Sequence, residues 1–451
     1  MRLTLVHPAM GRRPGQRFLR TWQIEPLPPA VIAALTPKDV EVRFYDDRME
    51  TIPFDEPADL VGISVETYTA RRAYQIATEY RRRGVPVVMG GFHATLCPDE
   101  VSRYAEAVVV GEAEDVWAEV VDDFRHRTPK RLYRAPRRPS LDRSVPDRSI
   151  FQGKRYLPLA LLESGRGCSH VCDFCVIQKV YSRTRTLHPV DHVVEQVRAL
   201  KGSRELFFFV DDNFGNDPGH ARELLEALAP LKVRWVSQCS IEAAHDEELL
   251  GLMERAGCAG LLIGFETLEA QNLKAMAKGF NALNGGYAKA LENLRRRGIR
   301  LYGTFVFGYD GDTAESFRTA VEFSREHAMF LAAFAHLMPL PGTALYERLR
   351  GEGRLLYDRW WLDPEYTFNK IAFRPAQMSP EELRESCLEA RRAFYSWPSV
   401  LQRGFARVNR RDAFMWRAFF LLNAMHRAEV PRRDGHPLGD LGWEGQLLEA
   451  A

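Results

Sequence analysis

Short apolar runs alternate with helical patterns along most of the chain, and this alternation restricts the fold more than any other feature of the sequence. Within the first 125 residues, helical patterns lie at about residues 28–35, 70–83 and 115–124. The apolar runs have the length of buried strands and lie at Leu3 to Val6, Val40 to Tyr45, Leu60 to Val65, Pro86 to Met89 and Val108 to Val110. Strands and helices that alternate with short connections predict a doubly wound parallel sheet, an α/β fold.

Small and polar residues follow directly after three of these predicted strands. Ligands of doubly wound sheets bind beyond the carboxyl ends of the strands, where glycine lets a ligand approach the backbone. A tight turn also requires glycine, so each short motif is weak evidence by itself. The candidate ligand-binding residues at these ends are Ser64, Glu66, Thr67, Gly90, Gly91, Phe92, His93, Gly111, Glu112 and Glu114.

The rest of the chain divides by composition into three further regions. Residues 126–155 are rich in Arg, Pro and Ser without an apolar period, which predicts a solvated linker. The alternation resumes over residues 156–345 with six strand–helix units, too few for an eight-fold barrel. Residues 346–451 are predicted to be mainly helical, and Ser379 with Glu382 predicts the start of one helix.

Three cysteines share one short loop near the middle of the chain. Cys168, Cys172 and Cys175 have the spacing C-x3-C-x2-C, with Phe174 before the last. Three thiolates can hold three corners of a cuboidal iron–sulfur cluster and leave one iron open, whereas electron-transfer clusters normally use four cysteines. The alternative is a structural zinc site, which requires four ligands, and His170 would complete it only in a very cramped loop. The spacing therefore favours the cluster.

Overall composition is that of an ordinary globular protein. The chain has 451 residues, 45% of them hydrophobic and 27% charged, and a formal charge of +2 that does not point to nucleic acid. The other four of its seven cysteines are scattered, which indicates a reducing compartment. No apolar run approaches the length of a membrane span or of a signal-peptide core, so we expect a cytoplasmic protein.

The cysteine loop resembles the signature loop of the radical SAM superfamily. The segments EPLPPAVIAAL, GISVETYT, VVMGGFHAT and VVVGEAED resemble the cobalamin-binding domain that precedes many enzymes of that superfamily. The resemblance covers roughly residues 1–345. It implies a Rossmann-like cobalamin-binding domain at 1–125, a partial (β/α)6 barrel at 156–345 and a C-terminal helical cap. The D-x-H-x-x-G motif, which supplies a histidine to cobalt in other cobalamin proteins, is absent.

This resemblance also implies cofactors and the residues that bind them. Cys168, Cys172 and Cys175 would hold a [4Fe-4S] cluster, and its open iron would bind the amino and carboxylate groups of S-adenosylmethionine. Acids and glycines at strand ends also cap helices without binding anything, so each assignment has a structural alternative. The residues implied for S-adenosylmethionine are Phe174, Asp211, Asp212, Asn213, Gln238, Ser240, Gly264, Glu266, Thr304 and Gly308.

The implied activity is methylation of an unactivated carbon in a small-molecule or lipid substrate, initiated by a 5′-deoxyadenosyl radical. A flavodoxin or ferredoxin would supply the electron. Alternatives are a radical cyclisation, rearrangement or oxidation without methyl transfer, and a metal-stabilised binding protein without turnover. A methylthiotransferase is disfavoured because its first domain needs its own cysteine-bound cluster, and Cys97 alone precedes the loop.

Two further expectations concern charge and the C-terminal region. Arg166 precedes the cysteine loop and is expected to help keep the thiols ionised. The stretch from Phe394 to Met425 interleaves aromatic residues with arginines. We expect it to pack over the substrate side of the barrel, and the alternative is an amphipathic surface that contacts a membrane or a lipid substrate.

Overall fold

The computed structural model describes residues 1–142, 144–282 and 285–449, and it divides into two compact units. The N-terminal unit consists of residues 1–157, 357–368 and 435–451. The barrel unit consists of residues 158–356 and 369–434. Each unit is therefore assembled from segments that are distant in the sequence.

A six-stranded parallel sheet forms the centre of the N-terminal unit. Its strands are β1 (Arg2–His7), β2 (Glu41–Asp46), β3 (Leu60–Ser64), β4 (Val87–Gly90), β5 (Ala107–Val110) and β6 (Leu132–Arg134), in the order β2-β1-β3-β4-β5-β6. The helices Leu27–Leu35, Ala70–Arg82 and Trp117–Arg125 pack on it, with short helices at Phe92–Leu96 and Pro98–Val101. Buried apolar residues of both faces, such as Leu5, Ile76 and Val120, form the core. The predicted α/β class and Rossmann-like topology are confirmed.

Residues 126–155, predicted to be a linker, contribute to this sheet instead. Strand β6 pairs in parallel with β5, with Val108 opposite Leu132, and Tyr133 is buried. Farther along, Ser144 donates a hydrogen bond to Glu114 at 2.9 Å. A strand of three residues offers only one inward side chain, so its period was too short to recognise in an arginine-rich sequence.

Segments from the end of the chain also belong to the N-terminal unit. Trp360, Trp361 and Tyr366 are buried in it, and Trp360 packs on Tyr68 with ring centroids 4.9 Å apart. Gly439–Asp440 forms a short parallel pair with Gly11–Arg12. Residues 346–451 are therefore not the single helical region that the sequence predicted, because long-range packing divides them between the two units.

The barrel unit contains a second six-stranded parallel sheet in which the strands follow one another in sequence order. They are β7 (Ala160–Leu162), β8 (Phe207–Phe209), β9 (Trp235–Cys239), β10 (Cys258–Glu266), β11 (Arg300–Phe307) and β12 (Leu331–His336). The outer face packs on helices Val190–Leu200, Pro218–Leu228, Glu247–Arg255, Gly286–Arg297 and Ala314–Glu326. β7 and β12 are the two ends of the sheet, which gives the expected partial (β/α)6 barrel.

Side chains alternate between the two faces of this sheet, as the strand geometry requires. Phe265, Phe305 and Phe334 lie on the outer face and stack across neighbouring strands, with centroids 5.6 Å apart. Gln238, Tyr302 and Thr304 occupy alternate positions and are partly exposed on the opposite face, which is the barrel interior.

The free edge of β12 is covered by the C-terminal helices Pro380–Phe394, Trp397–Gly404 and Ala413–Arg433. The carbonyls of Phe330, Ala332 and Phe334 face this edge and would otherwise remain unpaired. They accept hydrogen bonds from Asn423 at 3.1 Å, Tyr395 at 2.9 Å and Arg391 at 2.8 Å, respectively. Side chains therefore replace the missing neighbouring strand.

The aromatic stretch does not cover the substrate side, contrary to our expectation. Phe419 packs on Phe330, directly before β12, and Asp412 pairs with Arg234, directly before β9. These contacts place helix Ala413–Arg433 at the amino ends of the strands, whereas the cysteine loop follows the carboxyl end of β7. The physical reason is that its apolar side buries the open bottom of the barrel, in a cluster with Ala259, Val400 and Met415.

Some apolar residues of these helices remain exposed, namely Trp397, Leu401, Phe405 and Leu421. Contact with a membrane or lipid surface therefore stays a prediction. Among the described residues, no helix is both long and apolar enough to pass through a bilayer.

Candidate active site

The cysteine loop lies at the carboxyl end of β7 and is fixed by neighbouring strand ends. The carboxylate of Asp212, after β8, accepts a hydrogen bond from the backbone of Gly167 at 2.7 Å. Asn216 accepts one from the hydroxyl of Ser169 at 2.7 Å. On the far side, the carbonyl of Asp173 accepts the backbone N–H of Leu345 at 3.0 Å. These bonds fix the loop to neighbouring elements of the barrel unit without a disulfide.

The three thiols are close enough to influence one another. All seven cysteines lie in the described part of the chain and are free. The pKa of Cys172 is raised to about 12, mainly by burial and in part by the neighbouring thiols of Cys175 and Cys168. The amide of Asn213 donates to the sulfur of Cys168 at 3.8 Å. Within the described residues, no three His, Cys, Asp or Glu side chains are placed to share one metal ion.

This donor set fits a multi-iron cluster, in which each cysteine ligates a different iron. Such a cluster needs thiolates rather than thiols, and a buried thiolate needs a nearby positive charge. Lys278 supplies that charge: it is buried and lowers the pKa of Cys172. Its amino group is 2.8 Å from the carboxylate of Glu266 and 3.1 Å from the carbonyl of Gly264.

Lys278 was missed at the sequence level, and Arg166 was assigned its role instead. The guanidinium of Arg166 pairs with Glu163 at 2.8 Å. Lys278 also pairs with a carboxylate, that of Glu266, but it is the cation that lowers the pKa of Cys172. Lys278 follows the short helix Ala270–Ala275 in a loop, and neither its spacing nor its neighbours mark it as part of the site. Only the folding of that loop against the cysteines reveals it.

The predicted residues after β8 and β9 lie together. One of them is hydrogen-bonded to the cysteine loop, and the others connect the two strand ends. Asp211 is buried and accepts both the backbone N–H of Ser164, at 2.7 Å, and the Ser164 hydroxyl, so it supports the loop. Burial raises the pKa of Asp211 to about 7. Asn213 bridges to the backbone of Ser240 at 2.9 Å, and Gln238 donates to the carbonyl of Asp212 at 3.3 Å.

Among the remaining predicted residues of the barrel, some have close packing or ion-pair contacts within the protein and others line the barrel interior or the core. Gly264 is required by close packing, because a Cβ there would lie 2.1 Å from the Glu266 carboxylate. Glu266 has a φ of 63° and is committed to Lys278. A Cβ at Gly308 would lie 2.9 Å from Phe373, so this glycine serves packing, and the structure gives no ligand-facing role. Thr304 faces the barrel interior, and Phe174 packs partly against the core.

In the N-terminal unit, the predicted strand ends are neighbours because β3, β4 and β5 are adjacent. Gly91, with a φ of 101°, lets the loops after β3 and β4 approach, since a Cβ there would lie 2.8 Å from the carbonyl of Val65. A Cβ at Gly111 would meet no atom within 4 Å. Gly90, Phe92 and Ser64 are partly exposed. These residues therefore lie side by side at the carboxyl ends of three adjacent strands, and their contact with a ligand stays a prediction.

Three predicted ligand-binding residues of this edge form hydrogen bonds or an ion pair with other residues of the protein. His93 is fully buried, and its nitrogens lie 3.3 Å from the Thr67 hydroxyl and 3.1 Å from the Glu100 carboxylate. Glu112 is bound through both oxygens by Arg138, at 2.7 and 3.0 Å. His93, Thr67 and Glu112 therefore support the loops, as hydrogen-bonded buried groups do. Their contact with a ligand stays a prediction.

The carboxyl group of Glu66, unlike that of Glu112, has no arginine paired with it among the described residues. Burial raises the pKa of its carboxyl group to about 7, and in the described part of the chain no cation offsets that burial. Its backbone N–H donates to Thr69 at 3.0 Å, which begins the following helix and fixes the loop. Burial thus favours the neutral form of this carboxyl group, at the strand end where a ligand of the sheet would lie.

Two family models match the chain in the order of its two units. Residues 25–121 match the B12 binding domain, and residues 162–324 match the radical SAM superfamily. Bacteriochlorophyllide d C-12(1)-methyltransferase of Chlorobaculum tepidum is 31% identical over 417 residues, which are 90% of each chain. Hopanoid C-2 methylase of Rhodopseudomonas palustris is 28% identical over 73% of this chain and 64% of its own.

A solved structure shares the fold over almost the whole length. The radical S-adenosylmethionine methyltransferase TsrM from Kitasatospora setae, with cobalamin and a [4Fe-4S] cluster bound, superposes with a TM-score of 0.66. The match covers 95% of this chain and 99% of the other, at 16% identity. At that identity the likeness establishes the shared fold.

Proposed function

This chain belongs to the radical SAM methyltransferases that carry a B12-binding domain, and we propose that it methylates an unactivated carbon of a small-molecule or lipid substrate. The observation that carries the proposal is the meeting of the three cysteines, the ends of β8 and β9, and Lys278 at one end of an open barrel. When bound, the cluster, S-adenosylmethionine and cobalamin supply the radical and the methyl group.

The residues of this chain have distinct tasks in that reaction. Cys168, Cys172 and Cys175 would hold the cluster, while Lys278 would balance the charge of the thiolates. Asp212 and Gln238, partly exposed at adjacent strand ends, would face S-adenosylmethionine. Ser64, Glu66 and Gly111 would lie against cobalamin, which the protein would hold without a histidine, since His93 is committed to Glu100. A protein of this kind positions cofactors and excludes water, while the cofactors provide the chemistry.

Replacing the three cysteines tests the radical part of the proposal. The triple variant C168A/C172A/C175A, reconstituted without oxygen, is expected to bind no cluster and to form no 5′-deoxyadenosine from S-adenosylmethionine. The matched control C239A/C258A/C387A removes three buried thiols outside the loop and should keep its iron. Formation of 5′-deoxyadenosine by the first variant would refute the assignment.

Cobalamin binding is tested separately by adding bulk at the proposed edge. Wild-type protein is expected to retain hydroxocobalamin after desalting, as measured from its visible spectrum. Ser64→Phe should lower that retention without changing the iron content, whereas Thr128→Phe, at an exposed position, should change neither. Failure of the wild type to retain cobalamin would favour radical chemistry without methyl transfer.

A further inference from the structure

Basic and aromatic side chains surround the free edge of β12 in the barrel unit. Arg391, on helix Pro380–Phe394, donates from Nε to the carbonyl of Phe334 at 2.8 Å. This bond fixes the guanidinium at the edge of the sheet. The interior-facing side chains of β12 beside it, Ala333 and Ala335, are small and partly exposed, so they leave room next to the guanidinium.

Tyr302 on the neighbouring strand β11 faces the same space. The residues on either side of it, Leu301 and Gly303, are buried on the outer face, so Tyr302 points into the barrel interior. Burial raises the pKa of Tyr302, and the guanidiniums of Arg433 and Arg391 lower it. Both cations therefore act on a hydroxyl inside the barrel. No other described residue forms a hydrogen bond with that hydroxyl.

The guanidinium of Arg391 has no ion-pair partner in the part of the chain that the structure describes. Among the described residues, no carboxylate lies within 4.0 Å of its guanidinium, and its two terminal amino groups have no acceptor. Burial lowers the pKa of Arg391 and Arg433 adds to that effect, while Cys387, Asp434 and Tyr395 partly oppose it. The neighbouring Asp434 pairs with Arg384, and the pKa of the Cys387 thiol is raised to about 12, so that thiol is neutral.

A partly buried guanidinium with two free amino groups has the fork geometry that binds a carboxylate through both oxygens. We propose that Arg391 and Tyr302 form an anion site inside the barrel, and that this site receives a carboxylate of the methyl acceptor. The inference deepens the proposed function, because it restricts the substrate to molecules that carry an acidic group. Tyr302 would donate a further hydrogen bond to the same group.

Binding of a matched pair of probes tests the site without requiring turnover. The probes are 1-naphthaleneacetate and 1-naphthaleneacetamide, which have nearly the same shape and differ in charge. Equilibrium dialysis against the cluster-containing full-length protein is expected to show at least about tenfold tighter binding of the acid. Arg391→Gln should bring the affinity for the acid down to that for the amide.

Two further variants separate the site from general effects. Arg392→Gln, the exposed neighbour on the same helix, should keep the full preference for the acid. Tyr302→Phe removes a hydroxyl without a protein partner, so it should fold normally and lower the affinity for the acid several-fold. Equal binding of both probes by the wild type, or an equal effect of R391Q and R392Q, would overturn the proposal. Because neither probe requires S-adenosylmethionine cleavage, this result is independent of the test of the three cysteines.

Discussion

At the scale of single residues, the buried pair of Lys278 and Glu266 connects the cluster site to the stability of the barrel. Their charged groups are 2.8 Å apart, and only about a tenth of each side chain is exposed. Breaking such a pair leaves an uncompensated buried charge, which typically costs about 3–5 kcal/mol. The same ammonium group acts on the thiols of Cys172 and Cys175.

We therefore predict that Lys278→Met lowers both the free energy of unfolding, by about 3 kcal/mol, and the iron retained after reconstitution. Urea denaturation and iron analysis measure the two effects. The double variant K278M/E266Q should regain most of the stability, because no charge is left unpaired, but it should not regain the iron. Lys274→Met, at an exposed position four residues earlier, serves as the control. Normal iron content in K278M would remove Lys278 from the site.

Glu66 has the opposite electrostatic situation, since burial disfavours its charge and no cation among the described residues offsets that effect. The pKa of this carboxyl group is raised from 4.5 to about 7, so the folded state holds its proton over a range in which the unfolded state has lost it. Stability from this group is thus present below about pH 4.5 and is lost as the pH rises to about 7.

Glu66→Gln is accordingly predicted to stabilise the cobalamin-free protein at pH 8, by up to about 3 kcal/mol. The gain should disappear at pH 4, as measured by urea denaturation at both values. Glu112→Gln, at the same edge, loses the ion pair with Arg138 and one of its two hydrogen bonds, and it should destabilise the protein at pH 8. A Glu66→Gln variant that is less stable than the wild type at pH 8 would contradict the assignment.

At the scale of elements, the C-terminal helices complete the barrel structurally. Arg403 is fully buried and donates to the carbonyls of Met329 and Phe394, at 2.8 and 3.0 Å, and to Asn423 at 3.0 Å. Burial lowers the pKa of Arg403 to about 9. Its guanidinium lies 3.7 Å from the ring centroid of Phe394, which adds a cation–π contact. These bonds tie helix Trp397–Gly404 to the start of β12.

Helix Ala413–Arg433 offers a matched pair of substitutions for testing this role. Phe419 is fully buried against Phe330, so Phe419→Ala is predicted to cost about 3–5 kcal/mol of unfolding free energy. Leu421 is 62% exposed on the same helix, and Leu421→Ala should change stability by less than about 0.5 kcal/mol. Chemical denaturation measures both. A small effect of Phe419→Ala would show that this helix does not support the barrel.

At the scale of the whole molecule, the N-terminal unit depends on segments that follow the barrel in the sequence. Trp360, Trp361 and Tyr366 return to it, and the indole of Trp361 donates to the Glu100 carboxylate at 2.9 Å. Burying each of these side chains contributes about 2 kcal/mol, and their sum is comparable to the total stability of many domains.

A fragment consisting of residues 1–157 is therefore predicted to be unstable, although it contains all six strands of its sheet. Thermal melting followed by circular dichroism should show a broad transition at a temperature well below that of the full chain. The shorter fragment 1–125, which also lacks β6, should be less folded still. A cooperative transition of the 1–157 fragment at the temperature of the full chain would show that the returning segments are dispensable.

The sequence by itself determined the features that depend on neighbouring residues. Helix Val190–Leu200 and strand β11 follow from side-chain periods that act over a few residues, and the cysteine loop follows from its spacing. The parallel class of both sheets also follows, because short connections between strands and helices permit few other arrangements.

Tertiary structure alone decided the pairings between distant residues. Lys278 acts electrostatically on the cysteines, and Arg138 forms an ion pair with Glu112. Helix Ala413–Arg433 closes the bottom of the barrel rather than its substrate side. Each of these outcomes depends on which buried surfaces and charges match after the chain has collapsed. Local periodicity reports that a side chain will be buried, but only the packed fold determines what it is buried against.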